Sequence, residues 1–128
     1  EQPSGLICVN VQETDLSGHR ESPAKFAAVL KLVDDGIARL LPMLNPEDRL
    51  VIMADHGNDP TNHSTLHSRE HVPLMVWGSG VRPGSIGVRE TMSDVGATAF
   101  EYFKQNPKYR EVLAGLTLGN GTSFLNEL

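Results

Sequence analysis

Four of the five histidines in this 128-residue chain lie between Asp55 and His71, as His56, His63, His67 and His71. Two aspartates, Asp55 and Asp59, stand among them with Arg69 and Glu70. Neutral imidazole and carboxylate are the donors that bind zinc, manganese or iron. A second, smaller group, Asp15 and His19, stands upstream in the pattern D-x-x-G-H. Each group also has a plainer reading. Asp55 could cap a turn beside a surface histidine, and Asp15 to His19 could be a turn with Gly18 in the left-handed region. Two such groups brought to one edge of a sheet are harder to explain that way, and a metal centre is the leading expectation.

His67 to His71 also spells H-x-x-E-H, the inverted zinc-peptidase pattern, which needs both histidines on one face of a helix. Pro73 follows closely and no helical period runs through the segment, so the peptidase reading is set aside.

The elements that must position these residues can be read from the apolar pattern. Leu6 to Val11 reads as a short buried strand, with the lone cysteine, Cys8, as a buried free thiol. Gln12 to Arg20 reads as a polar loop. Ser22-Pro23 signals a helix start, Ser22 as the cap and Pro23 at the first helical position. Phe26, Val29, Leu30, Val33, Ile37, Leu40, Leu41 and Leu44 then recur at a helical period, with Pro46 closing the helix. Leu50 to Ala54 is the next strand, so Leu6 to Ala54 has the form of a βαβ unit with parallel strands and a right-handed crossover. Ligands in such sheets collect beyond the carboxyl ends of the strands, where Asp15, His19, Asp55 and His56 fall.

Val72 to Trp77 follows without a helix between, so it is expected antiparallel to Leu50–Ala54. That return brings His67 and His71 back to the edge that carries Asp55. A loop of this length without a helix of its own is usually functional. Gly78 to Arg89 reads as a loop. Ser93-Asp94 is expected to cap a helix through about Phe103, with Val95, Ala99, Tyr102 and Phe103 packing. A short helix is expected around Tyr109 to Leu113, and the tail from Gly119 to Leu125 reads as a turn into a short strand.

The whole composition narrows the classes. A chain of 128 residues can hold one domain with a core. Its formal charge of −5 argues against a nucleic-acid partner, which wants clustered Lys and Arg. It carries no run of membrane-spanning length and no signal-like segment, so no membrane partner is expected and a cytoplasmic location is. It starts at Glu1 rather than methionine, so a piece of a longer protein is expected.

The motifs carry a resemblance. A-D-H-G-N-D-P-T at Ala54–Thr61, followed by H-S-R-E-H-V-P-L at His67–Leu74, resembles the phosphopentomutases of the alkaline phosphatase superfamily. Val9-Asn10, Gly18-His19-Arg20, G-x-R-E-T at Gly87–Thr91 and N-G-x-S-F at Asn120–Phe124 fit the same pattern, in order, over nearly the whole chain. The resemblance implies an α/β fold: a mixed, mostly parallel sheet with flanking helices, of which residues 1–128 would be the carboxyl-terminal part of the metalloenzyme core. The amino-terminal part and the cap domain would lie outside it. One departure stands out. The spacing from Asp15 to Gly18-His19 is one residue shorter than in most phosphopentomutases and looks more like the cofactor-independent phosphoglycerate mutases.

The resemblance further implies two divalent ions, commonly manganese. Asp15, His19 and His67 would hold one, and Asp55 with His56 the other. Arg69, Glu70 and His71 would stand outside the ligands and orient them. The implied reaction is phosphoryl transfer on a sugar phosphate, ribose 1-phosphate to ribose 5-phosphate, through a phosphothreonine. Thr14, Thr61 and Thr65 do not match that threonine's position, so the chain alone is expected to be inactive. Hydrolysis of a phosphate ester on the same ions, or a relative that kept the fold without catalysis, are the competing readings.

Overall fold

The computed structural model describes residues 5–128. They fall into two units, residues 5–77 and 78–128. The first holds helix α1 (Glu13–His19), helix α2 (Pro23–Leu40) with a 3₁₀ turn at Leu41–Met43, strand β1 (Arg49–Met53) and strand β2 (Leu74–Gly78), which ends at the boundary. The second holds helices α3 (Ser93–Gln105) and α4 (Pro107–Leu113) and a closing 3₁₀ turn at Leu125–Glu127.

The expected loop at Gln12–Arg20 is helical. Glu13 and Asp15 occupy the first turn and His19 the last, the charge order that suits a helix dipole. The Ser17 hydroxyl turns back onto the carbonyls of Glu13 and Thr14. Gly18 is buried inside this helix rather than left-handed. Glu21 carries the turn with φ +49°, and its N–H donates to the Gly18 carbonyl at 2.8 Å.

Helix α2 then starts at Pro23 after Ser22, as the sequence indicates, though the Ser22 hydroxyl makes no capping bond. Pro42, not Pro46, ends it. Proline lacks the N–H that the next helical bond needs, and the chain tightens into the 3₁₀ turn. The apolar stripe is narrower than expected. Phe26, Val29, Val33, Ile37, Leu41 and Leu44 are half-buried, while Leu30 and Leu40 are exposed.

Leu6 to Val11 forms no strand. Leu6, Ile7 and Val9 are 69%, 88% and 82% exposed, and Cys8 is exposed as well, not buried. A strand exists only through a hydrogen-bonded neighbour. The one sheet among the described residues is β1 paired with β2, and no parallel pair or βαβ unit forms. The expected antiparallel return does form. β1 and β2 run antiparallel, and a further antiparallel bridge joins Gly57 to Ser68. Each strand has one row partly covered (Ile52; Leu74 and Val76) and one open (Val51 and Met53; Met75 and Trp77).

In the second unit two polar residues are buried along with Phe124. Asp94 and Thr98, one turn apart on α3, are 1% and 7% exposed. Thr98 Oγ1 donates to the Asp94 carbonyl and accepts from the Phe124 N–H. The Asp94 carboxylate accepts from the Thr122 N–H at 2.8 Å and pairs with Arg89 at 3.3 Å. Arg89 also reaches Glu127 and lies over the Phe124 ring, which is 1% exposed. The G-x-R-E-T and N-G-x-S-F segments are therefore one assembly that clasps the tail to α3. Asp94 does not cap the helix. Nor does Ser93, the first helical residue: Met92 stands at the cap position without a side-chain capping bond, and Thr91 before it accepts the Ser93 N–H on its hydroxyl and the Asp94 N–H on its carbonyl. The tail ends in a 3₁₀ turn rather than a strand. Helix α4 appears as expected, with the Asn106 side chain accepting from the Lys108 N–H and Tyr109 edge-on to Phe103. No helix among the described residues is long and apolar enough to cross a membrane.

Candidate metal centre

Helical spacing places Asp15 and His19 on one face of α1, since residues four apart are neighbours there. Asp15 Oδ1 lies 3.2 Å from His19 Nε2. The antiparallel return brings His67 to the same point, its Nε2 3.4 Å from Asp15 Oδ1 and 3.2 Å from His19 Nε2. His56, just beyond β1, stacks on His67 with ring centroids 3.7 Å apart, and its Nε2 is 3.9 Å from the same carboxylate oxygen. Asp55 lies at the rim of this group. Its side chain is 88% exposed, with Oδ1 3.8 Å from His56 Nε2.

The tautomers follow from the partners. His19 Nδ1 lies 2.6 Å from the Thr65 carbonyl, which can only accept, so in the neutral ring Nδ1 carries the proton and Nε2 is the nitrogen free to bind a metal. His56 Nδ1 likewise faces the Gly57 carbonyl at 3.2 Å, leaving its Nε2 toward Asp15. Burial pushes the Asp15 carboxyl up, but the Asn58 amide and the imidazoles of His19, His67 and His56 outweigh it, so its pKa sits below the usual value. The carboxylate is held ionised.

These donors fit a divalent cation. Ligand atoms ~2.1 Å from a tetrahedral ion lie ~3.4 Å from one another. The separations among Asp15 Oδ1, His19 Nε2 and His67 Nε2 are 3.2, 3.4 and 3.2 Å. Those three residues are the group whose donor atoms converge among the described residues.

The loop between the strands fixes the parts. The Ser68 N–H donates to the Gly57 carbonyl at 3.0 Å, and Ser68 Oγ accepts from the Asp59 N–H and donates to Glu70. Asp59 caps the Thr61 turn through its carboxylate. Glu70 lies against Gly57, where a Cβ would stand 2.6 Å from its carboxyl carbon. Glu70 thus braces the loop. Arg69 and His71 are exposed. What faces His67 is His56. Segment His67–His71 is not helical, in keeping with the rejection of the peptidase pattern. His63 is 94% exposed, 4.0 Å from Glu21, with φ +56°.

Two contributors escaped the sequence reading. Thr65 acts through its backbone carbonyl, which leaves no signal in residue type. Asn58 donates its amide to Asp15 Oδ1 at 2.8 Å. Its place three residues beyond Asp55 was the only hint.

Residues 1–107 match the family described as the Metalloenzyme superfamily. The chain belongs to the metalloenzyme superfamily. Membership gives an α/β fold and implies divalent-metal binding. A phosphopentomutase of Anaeromyxobacter sp. (strain K) is 45% identical over 125 residues, 97% of this chain and 29% of that protein. A phosphopentomutase of Desulfitobacterium hafniense (strain DSM 10664 / DCB-2) is 44% identical over 130 residues, covering 100% of this chain and 31% of the relative. One from Edwardsiella ictaluri (strain 93-146) is 42% identical over 103 residues, 80% of this chain and 25% of its own length. The chain thus spans less than a third of these metalloenzymes.

Proposed function

We propose that the full-length protein is a metal-dependent phosphomutase acting on a sugar phosphate, interconverting ribose 1-phosphate and ribose 5-phosphate as a phosphopentomutase does. The observation that carries the reading is the convergence of Asp15 Oδ1, His19 Nε2 and His67 Nε2 at mutual distances suited to one ion. The phosphopentomutase names of the relatives support the choice of substrate class.

On this reading Asp15, His19 and His67 hold one divalent ion, manganese being the expected metal, and Asp55 with His56 contribute to a second. Bound ions would neutralise charge on a phosphoryl group in transfer and align its attacking and leaving oxygens. The chain's own residues do the preparatory work. Thr65 keeps His19 in the tautomer that can donate to a metal. His56 fixes the plane of His67 by stacking. The anionic Asp15 compensates the positive charge the site must accept.

The phosphothreonine of the proposed mechanism is not among these residues. Thr61 Oγ1 donates to Asp59 and Thr14 Oγ1 to the Val11 carbonyl, so both hydroxyls hold turns. The nucleophile then belongs to a part of the enzyme outside this chain, and the chain by itself is inactive.

Incubating the full-length protein with manganese and ribose 1-phosphate tests the proposal. Appearance of ribose 5-phosphate, abolished by a chelator and by His19→Ala, supports it. Release of free phosphate would make the enzyme a hydrolase on the same centre. No turnover, together with no bound metal, would leave a fold retained without catalysis.

A further inference from the structure

We propose that Asn58 is the positioning residue of the metal centre, its side-chain amide holding the Asp15 carboxylate with Oδ1 turned toward His19 and His67. The inference rests on the metal-centre reading above.

The amide's orientation is dictated by its partners. Asn58 Nδ2 lies 2.8 Å from Asp15 Oδ1 and 3.1 Å from the Asp15 carbonyl oxygen. Both are acceptors, so the NH₂ must face them. A single donor group gripping backbone and side chain of one residue fixes the carboxylate relative to helix α1. It also occupies one lone pair of Oδ1, leaving that oxygen another to offer to a metal ion.

Asn58 Oδ1, forced to the opposite side, is buried with no hydrogen-bond partner. Leaving a buried acceptor unpaired costs free energy, which favours a reason for the arrangement beyond packing. Gly18 makes it possible, because a Cβ there would overlap the Asn58 amide. Asn58 itself is anchored on both sides. Ser68 N–H binds the Gly57 carbonyl before it, and Ser68 Oγ accepts the Asp59 N–H after it. Asn58 therefore ties together the three segments that carry the donors: α1, the end of β1 and the approach to β2.

The test uses the full-length protein, titrated calorimetrically with manganese and spectroscopically with cobalt(II). Asn58→Ala is expected to weaken manganese binding about 10- to 100-fold, the range for lost outer partners of metal ligands. It should also change the cobalt visible absorption, because a released carboxylate can bind through both oxygens. A residue that only supports the fold would lower the unfolding temperature and leave the cobalt spectrum of the folded protein as it was. His19→Ala is the reference. If it weakens binding while Asn58→Ala changes neither affinity nor spectrum, the inference is overturned and the metal centre stands. If neither variant affects binding, the metal centre itself is misplaced and the inference falls with it. Gly18→Ala provides a second route should Asn58→Ala not fold, since it displaces the amide without removing it. The same spectral change is expected there, and an unchanged spectrum with unchanged affinity counts against the proposal.

Discussion

His19 Nε2 and His67 Nε2 stand 3.2 Å apart across 48 residues of sequence. In the neutral ring the proton on His19 goes to the Thr65 carbonyl, so a lone pair faces its neighbour. Two imidazoles approach so closely either around a shared proton or around a shared ion. With an anionic Asp15 oxygen at 3.2 and 3.4 Å from the same two nitrogens, the arrangement is suited to a cation.

Removing either imidazole should therefore cost more than removing an outer partner. His19→Ala and His67→Ala are each expected to weaken manganese binding by about 100-fold or more. His63→Ala, in a side chain that is 94% exposed, should leave it unchanged. Isothermal titration of the three variants checks this, and equal losses in all three would mean the loop as a whole, not the donor set, holds the ion.

Two glycines should respond differently to alanine. Gly121 has φ +100°, and a Cβ there would run into the Ser93 carbonyl, which is backbone and cannot give way. Strain and overlap together predict a loss of about 2 kcal/mol or more. At Gly57 the obstacle is the Glu70 carboxylate, the free end of a flexible side chain. Displacing it forfeits its bond to Ser68, about 1 kcal/mol. Urea unfolding of the two variants should rank them in that order.

Acid should loosen the tail. The Thr122 N–H holds the Asp94 carboxyl below its usual pKa; burial opposes this and Arg89 reinforces it. A carboxylate with a depressed folded-state pKa contributes stability at all pH values above its unfolded pKa, about 3.9, and that contribution is lost as pH falls below it through the folded value. The unfolding midpoint of residues 78–128 should decline over that acid range. Asp94→Asn should flatten the dependence and lower the plateau near neutrality. A parallel decline in wild type and variant would assign the acid sensitivity to other groups.

Phe124 is the one fully buried apolar side chain among the described residues. Truncation to alanine is expected to cost about 3–5 kcal/mol, a large fraction of the stability of a small domain. Hydrogen exchange should show the loss in α3, whose Thr98 accepts the Phe124 N–H.

Which parts were legible in the sequence follows from whether their determinants are local. Ser22-Pro23 marks the start of α2 because a proline's geometry is its own. The helix-free return from β1 to β2 dictates an antiparallel pair, which brought His67 back to the edge that carries Asp55, whereas its grouping with Asp15 and His19 came from the family resemblance. Leu6 to Val11 looks like a strand by composition, yet a strand is made by its neighbour and here it has none among the described residues. Helix α1 was hidden because Ser17 and Gly18 look like turn residues. Ser17 instead satisfies its hydroxyl on Glu13 and Thr14, and Gly18 is small for the sake of Asn58. Asp94 looked like a helix cap, while its partners, Arg89 and Thr122, lie 5 and 28 residues away.

The split of the donors between α1 and a loop 48 residues later has a thermodynamic consequence. An ion bound there is a reversible crosslink that closes a long loop, absent from the unfolded chain. Such a ligand stabilises the folded state by mass action, about 2.7 kcal/mol when its free concentration is a hundred times its dissociation constant. Occupancy of the centre would then be readable as melting temperature, without any substrate, and metal starvation would shorten the protein's lifetime.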